Sequence, residues 1–245
     1  MGWYAVYSRE MLLLRKKIGK MGYIFSTVIS PFVYLLSFGM GLGGRVVDVG
    51  GGYLPFLATG IVGMTVIMNA FSQTATSLSG GRLYYHTFQS LILSPVRAVE
   101  VVFGMVLAGV ARGIIFGGLV LAVARFVFGV GGLNLIGAAG ILLGSSCFAS
   151  FGLVVGMMVK QPDDVSMINN LFITPMVFFG GSFFPLQNLP PWLAVAAGIL
   201  PIGRLNTLLR SGEWNSDVLW AAGILLLLTI CFCCWGVWLY NHYSE

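Results

Sequence analysis

The feature that most constrains this chain is a series of six apolar segments, each long enough to cross a lipid bilayer. A helix needs about 20 mainly apolar residues to span a hydrocarbon core of about 30 Å. The segments are residues 21–42, 53–76, 99–128, 133–159, 165–184 and 218–240. Because backbone polar groups inside lipid must bond to one another, such segments form helices. The sequence therefore predicts an all-α polytopic membrane protein, a single transmembrane domain of six transmembrane helices.

The charge composition excludes the common soluble classes. Only 9% of the 245 residues are charged, whereas a soluble domain has about 25%. A net charge of +5 could indicate nucleic-acid binding in a soluble protein, but in a membrane protein it is typical of charges that set topology. We therefore expect this chain to contact membrane lipids and not to bind nucleic acid.

The Lys and Arg residues between the spans predict an orientation, because basic residues favour the cytoplasmic side. With the N-terminus inside, the inner side carries Arg9, Arg15, Lys16, Lys17, Lys20, Arg82, Arg97 and Lys160, and the outer side carries Arg45, Arg204 and Arg210. Residues 1–20 lack the uninterrupted apolar core of a cleavable signal peptide. We expect a multi-pass protein of the cell (inner) membrane with both termini in the cytoplasm.

Residues 1–20 predict a separate N-terminal amphipathic helix. Apolar side chains recur there at helical spacing, at Trp3, Tyr7, Met11, Leu14 and Ile18. Basic residues occupy another face, as in helices that lie in the membrane interface. The alternative is a basic leader without structure that only sets topology.

Residues 185–217 are too long for a tight turn, and their apolar piece, residues 192–200, is too short to cross the membrane. They contain four prolines, which interrupt regular helix. We predict an outer re-entrant segment before the sixth span, with aromatic residues near the outer headgroups. Phe183, Phe184 and Trp192 are the candidates for an outer gate.

The polar side chains offer no recognisable catalytic, metal or cofactor site. His86 and His242 lie in different segments without a carboxylate or cysteine at ligand spacing. A two-thiol metal site among the cysteines of the last span, at residues 231, 233 and 234, is far less favoured than small buried core residues. The phosphate-binding loop that cradles ATP is missing, and the eight acidic residues are all predicted at interfaces or in loops. The chain is therefore not expected to be an enzyme.

Arg112 is the conspicuous charge inside a predicted span. A guanidinium near the centre of a membrane helix costs at least about 2.5 kcal/mol, so it should face protein or water. Two interpretations remain open, a structural residue bonded to carbonyl groups and a contact to cargo. Glycines spaced four apart, including Gly109 with Gly113 and Gly152 with Gly156, predict close packing of helices.

The connection at residues 77–98 contains more apolar side chains than a simple loop needs. A short helix is predicted from Arg82 to Leu93, ended by Ser94-Pro95. Its apolar and aromatic residues, which include Phe88, Leu91 and Ile92 at helical spacing, favour docking to lipid or to a soluble partner. The alternative is a helix that only packs onto the membrane interface.

Two passages resemble the permease subunits of ATP-binding-cassette exporters of the type-2 family, and the likeness covers essentially the whole chain. Residues 87–97 (TFQSLILSPVR) resemble the family's Gly-Thr-Leu-Glu-x-Leu-Leu-x-x-Pro-Val loop. Residues 175–186 (PMVFFGGSFFPL), followed by residues 189–193 (LPPWL) and Pro201, are similar to its C-terminal signature. Gln89 stands where the family commonly has Glu, and His86 where Gly is common.

The resemblance implies that residues 77–98 form a cytoplasmic coupling loop, which contacts a separate ATPase subunit. The coupling residues would be Tyr85, Thr87, Phe88, Gln89, Leu91, Ile92 and Pro95. It also implies two permease copies, as a homodimer, with two ATPase subunits that bind ATP and Mg. Within the family, the sequence as a whole is most similar to the branch that contains lipo-oligosaccharide and drug exporters.

These observations predict a permease that moves an amphipathic substrate, either drug-like, a lipid or a lipo-oligosaccharide. A lipid-linked polysaccharide exporter has the same architecture and is the alternative. A passive pore or a membrane scaffold would need no energy-transducing loop and is less favoured.

Overall fold

A computed structural model describes residues 2–19, 21–42, 52–85, 87–186, 190 and 197–243. The helices whose bounds are described are α1 (Gly2–Ile18), α2 (Met21–Leu42), α3 (Tyr53–Leu83), α4 (Thr87–Ile92), α5 (Ala98–Phe128), α6 (Leu135–Met158), α7 (Asp163–Ser182), α8 (Pro201–Arg210) and α9 (Ser216–Asn241). The described residues contain no strand, so the all-α prediction is confirmed for them.

Five of the helices, α3, α5, α6, α7 and α9, are long and apolar enough to cross a membrane. They coincide with the second to sixth predicted spans, which makes the chain a multi-pass membrane protein. The first predicted span coincides with α2. Among the side chains described there, the apolar stretch is Thr27–Gly39, which is shorter than a membrane span. The count of six spans stays a prediction.

The core of the bundle lies where α3 packs against α5 and α6. These two helix pairs make the most extensive contacts in the described structure. Glycine lets these backbones approach closely, as the spacing predicts. A Cβ at Gly152 would lie 2.5 Å from the carbonyl oxygen of Phe71, and one at Gly156 would lie 2.9 Å from that of Ala75. α6 therefore lies directly against the backbone of α3.

α1 packs lengthwise against α5. A Cβ at Gly104 would lie 2.6 Å from the carbonyl oxygen of Trp3, and further along both helices Arg112 reaches Glu10. The buried residues of α1 are Val6, Glu10 and Leu14, a face adjacent to the predicted apolar stripe. A helix at residues 2–18 is confirmed, and its place in the membrane interface stays a prediction.

α7 is helical but irregular. It contains π-helical turns at Asn169–Ile173 and Phe178–Ser182, and the last of these breaks at Gly180 and Gly181. Gly181 has φ 76°, a left-handed conformation that favours glycine. The span therefore ends two residues before the predicted boundary at residue 184.

The predicted re-entrant segment is described at residues 185–186, 190 and 197–217. α8 lies within it and buries Ile202, Leu205, Asn206, Leu208 and Leu209 against α3, α6 and α9. Trp192 lies outside the described residues, as do Gln187 and Asn188. The re-entrant path itself stays a prediction.

α9 has the most exposed surface of the five long apolar helices. Its cysteines correct one expectation, because Cys231 and Cys234 are exposed and Cys233 is half-buried. Cys231 and Cys234 are therefore not core residues, whereas Cys233 packs at the edge of the core.

Candidate functional site

The turn from α3 to α5 carries a compact helix between two exposed apolar stretches. α3 extends to Leu83, so the short helix begins at Thr87 rather than at the predicted Arg82. It ends where Ser94 Oγ donates a hydrogen bond of 2.6 Å to the carbonyl oxygen of Leu91, just before Pro95. We call this end of the bundle, with α1, α4 and the end of α9, the α4 end.

Phe88 does not belong to the exposed surface that the helical spacing predicts. Only 1% of it is exposed, and its ring meets those of Tyr240 and Tyr243 edge-on at centroid distances of 5.5 and 5.3 Å. The side chain turns inward because the end of α9 provides an aromatic pocket for it. An exposed anchor at Phe88 was therefore the wrong prediction.

Other residues of the turn do form an exposed apolar surface. Tyr84 is 68% exposed, Tyr85 77%, Ile92 40% and Leu93 86%. We call these four residues the α4 surface. Of the remaining predicted coupling residues, Gln89 and Leu91 are half-buried and Pro95 is exposed.

Thr87 ties α4 to α1. Arg9 Nη2 donates a hydrogen bond of 2.7 Å to Thr87 Oγ1, across a separation of 78 residues. Arg9 also lies beside the Glu10 carboxylate, at 3.9 Å. The first and fourth helices are thus joined by a polar contact at the edge of the bundle.

Arg112 is paired inside the protein. Its Nη2 lies 2.6 Å from Glu10 Oε2, and both side chains are about 95% buried, with exposures of 4% and 5%. Ser77 Oγ donates a hydrogen bond of 2.7 Å to the same carboxylate oxygen. Glu10 thus bridges α1, α3 and α5 and is buried among them. The contacts support a structural role for Arg112.

Arg82 joins α3 to the end of α6. Its two terminal nitrogens donate to the carbonyl oxygens of Met157 and Val159, which lie at the last turn of α6. Such carbonyls have no partner within their own helix. The guanidinium also lies 5.7 Å from the ring centroid of Tyr243. Sequence reasoning assigned Arg82 only a topological charge.

At the opposite end of the bundle, α8 holds the broken end of α7. Asn206 Nδ2 donates to the carbonyl oxygen of Gly180 and to Ser182 Oγ, both at 3.0 Å. Arg210 Nη2 donates to the carbonyl oxygen of Gly181 at 2.8 Å, and its guanidinium lies 3.6 Å from the centroid of the Phe56 ring. These contacts satisfy carbonyl groups that the break in α7 releases.

The two described gate candidates differ in exposure. Phe183 is fully buried, stacked on Phe178 at a centroid distance of 4.9 Å and in contact with Tyr34 and Phe38. Phe184 is 45% exposed. Phe183 therefore packs inside this chain, and Phe184 remains a candidate for an exit.

An open groove of about 490 Å³ lies between α6 and α7 near the α4 end. Its walls include Phe151, Met158, Met167 and Phe172, and Lys160 and Asp164 lie at its edge. The groove thus combines an apolar wall with charged groups at one end. This combination suits a molecule with an apolar and a polar part.

Known proteins resemble this chain over most of its length. A family model described as "ABC-2 type transporter" matches residues 2–214, which include α1 to α8. "Inner membrane transport permease YadH" of Escherichia coli (strain K12) is 31% identical over 218 residues, which cover 86% of this chain and 84% of the relative. "Nodulation protein J" of Rhizobium leguminosarum bv. viciae is 26% identical over 242 residues, which cover 94% and 90%.

Proposed function

The chain belongs to the ABC-2 type transporter family, and on that premise we propose that it is the permease subunit of an ATP-driven exporter. In this proposal a separate ATP-binding-cassette ATPase docks at the α4 end, and its hydrolysis of ATP moves an amphipathic molecule across the cell membrane. The main support for the proposal is the exposed α4 surface. It flanks α4, whose Phe88 side chain is buried in the bundle.

The α4 surface supports docking of a soluble partner. Four large apolar side chains stand exposed in the connection from α3 to α5, two before α4 and two at its end. Several exposed apolar side chains in one connection are typical of an interaction site. α4 itself is held in place by contacts to α1 and α9, which involve Thr87, Phe88 and Leu91. ATP and Mg belong to the ATPase in this proposal.

A second permease copy is supported by the outward face of α7. Met167, Leu171 and Phe172 are exposed there together with Asn170 and Ser166. A polar side chain turned towards lipid is costly, and it is better placed against protein or a water-filled path. We propose a homodimer in which the two α7 faces border the path of the cargo, with two ATPase subunits below.

The groove between α6 and α7 supports an amphipathic cargo over a small ion. Its apolar wall would hold a hydrocarbon or ring system, and Lys160 and Asp164 would meet the polar part. Drug-like molecules, lipids, lipo-oligosaccharides and lipid-linked polysaccharides share this chemistry. A passive pore or a scaffold would need no ATPase, so the exposed α4 surface would have no role in it.

Replacing Tyr85 and Leu93 together by alanine should weaken ATPase docking without harming the fold. A buried aromatic anchor at an interface is commonly worth about 2 kcal/mol or more, so the affinity should fall about 30-fold or more. Binding of the purified ATPase to the permease in nanodiscs, measured by biolayer interferometry, checks this.

The matched control is Phe126→Ala. Phe126 is 85% exposed, as Leu93 is, but it lies at the last turns of α5 at the other end of the bundle. It should leave ATPase binding unchanged. Equal binding by the wild type and the Tyr85→Ala, Leu93→Ala protein would refute docking at the α4 surface.

The proposed orientation has α4 and both termini in the cytoplasm. In a protein without native cysteines, Leu135→Cys should react with a membrane-impermeant maleimide added outside intact cells, and Leu93→Cys should react only after lysis. Both side chains are highly exposed, at 79% and 86%, so access to the reagent depends on the side of the membrane. The reverse pattern of labelling would invert the topology and remove the ATPase from the α4 surface.

A further inference from the structure

Phe88 lies where the four long helices of the core converge. Around it are Leu78 of α3, Val101 and Met105 of α5, Leu153 of α6 and Tyr240 of α9. The side chain is 1% exposed although it belongs to a helix of six residues between two loops. α4 is therefore inserted into the bundle by one aromatic side chain.

The end of α9 holds α4 at two points. Tyr240 and Tyr243 pack edge-on against Phe88, with interplanar angles of 79° and 83°. Tyr240 also donates its hydroxyl hydrogen to the carbonyl oxygen of Leu91, at 3.2 Å. The ring and the backbone of α4 are thus both bound to the last turn of α9.

The same tyrosines reach the end of α6. Arg82 lies over the Tyr243 ring and donates to the last carbonyl groups of α6. α4 is thus linked through Tyr243 and Arg82 to the end of α6. Without the tyrosines, α4 would keep its hydrogen bond to α1 through Thr87 and its covalent connections to α3 and α5.

We infer that Tyr240 and Tyr243 are positioning residues which make the last span move with α4. The inference rests on the proposed function, because it assumes that the ATPase moves α4. The tyrosines do not touch the ATPase in this account. They determine how far a movement at the α4 surface travels towards the far end of α9.

The test follows two positions in the complete complex of permease and ATPase, with both native exposed cysteines removed. Spin labels are placed at Gln89→Cys on α4 or at Trp220→Cys near the far end of α9, where Trp220 is 71% exposed. The distance between the two permease copies is measured by electron–electron double resonance, without nucleotide and with MgATP in a hydrolysis-deficient ATPase.

MgATP should change both distances in the parent protein. In the variant with Tyr240→Leu and Tyr243→Leu, the change at Gln89 should persist. The share of complexes that show the change at Trp220 should fall at least about threefold, because the loss of two ring contacts shifts an equilibrium by at least this factor. Tyr240→Phe with Tyr243→Phe keeps both rings and should restore most of the change. If the leucine variant does not fold, Tyr243→Leu alone should give a smaller loss of the same sign.

A full change at Trp220 in the leucine variant would overturn the inference, and so would a parent protein in which Gln89 responds and Trp220 does not. Both results leave the proposed function intact. A parent complex in which MgATP moves neither label would instead refute coupling through α4, and the inference with it.

Discussion

Glu10→Gln should lower the thermal unfolding midpoint of the permease in detergent by on the order of 10 °C, the shift that about 3–5 kcal/mol corresponds to in a protein of this size. The reason is that glutamine keeps the shape of the side chain but removes its charge. Arg112 is then left buried and uncompensated, with 3% of its surface exposed. Ser77 can still donate to the amide oxygen, so the loss reports the ion pair.

Two variants make this result specific. Glu213→Gln changes an exposed carboxylate in the loop before α9 and should leave the midpoint within about 1 °C, because exposed charges contribute little. Glu10→Met combined with Arg112→Met should recover much of the loss, because an apolar pair leaves no charge without a partner. Additive losses in this double variant would show that the two side chains act independently and that the pairing is wrong.

Gly60→Ala should destabilise the protein by about 1–3 kcal/mol, which corresponds to roughly 5 °C in the unfolding midpoint. A Cβ at Gly60 would overlap the carbonyl oxygen of Ser182 and lie 2.9 Å from its Cα. The neighbour is backbone at the break of α7, held in place by Asn206, so it cannot turn aside as a flexible side chain would.

Gly118→Ala is the control for this substitution. Gly118 lies in α5 with nothing within 4 Å of the added Cβ. Alanine there should keep or slightly raise the midpoint, because it is a better helix former than glycine by about 1 kcal/mol. If Gly60→Ala matches Gly118→Ala, α7 does not end against α3 as described.

The long helices could be predicted from sequence because their information is local. A run of about 20 apolar residues has few structures available to it in a bilayer. The ends of the helices were harder to predict. The second span was expected to end at residue 76, but α3 continues to Leu83. Glycine spacing likewise predicted close packing, but it could not name Phe71 or Ala75 as the opposing backbone.

The candidate site depended on contacts between distant parts of the chain. The spacing of Phe88, Leu91 and Ile92 correctly placed a helix, but Phe88 turns inward because of two tyrosines more than 150 residues away. No sequence pattern singles out Tyr240 and Tyr243, because aromatic residues are common at membrane interfaces. Glu10 was hidden in the same way, because a single acid in a basic helix gives no sign of burial.

The seam between α3 and α6 determines where this molecule has freedom to diversify. Along it, the backbones of the two helices meet at Gly152 and Gly156, so nearly any added carbon atom there collides with main chain. The outward face of α7 has no such contact with main chain, since side chains such as Met167 and Phe172 are 65% and 61% exposed. Random mutagenesis should therefore leave folding intact at the exposed positions of α7 and disrupt it along the seam. A new cargo preference could arise by altering α7 while the folding of the subunit stays intact.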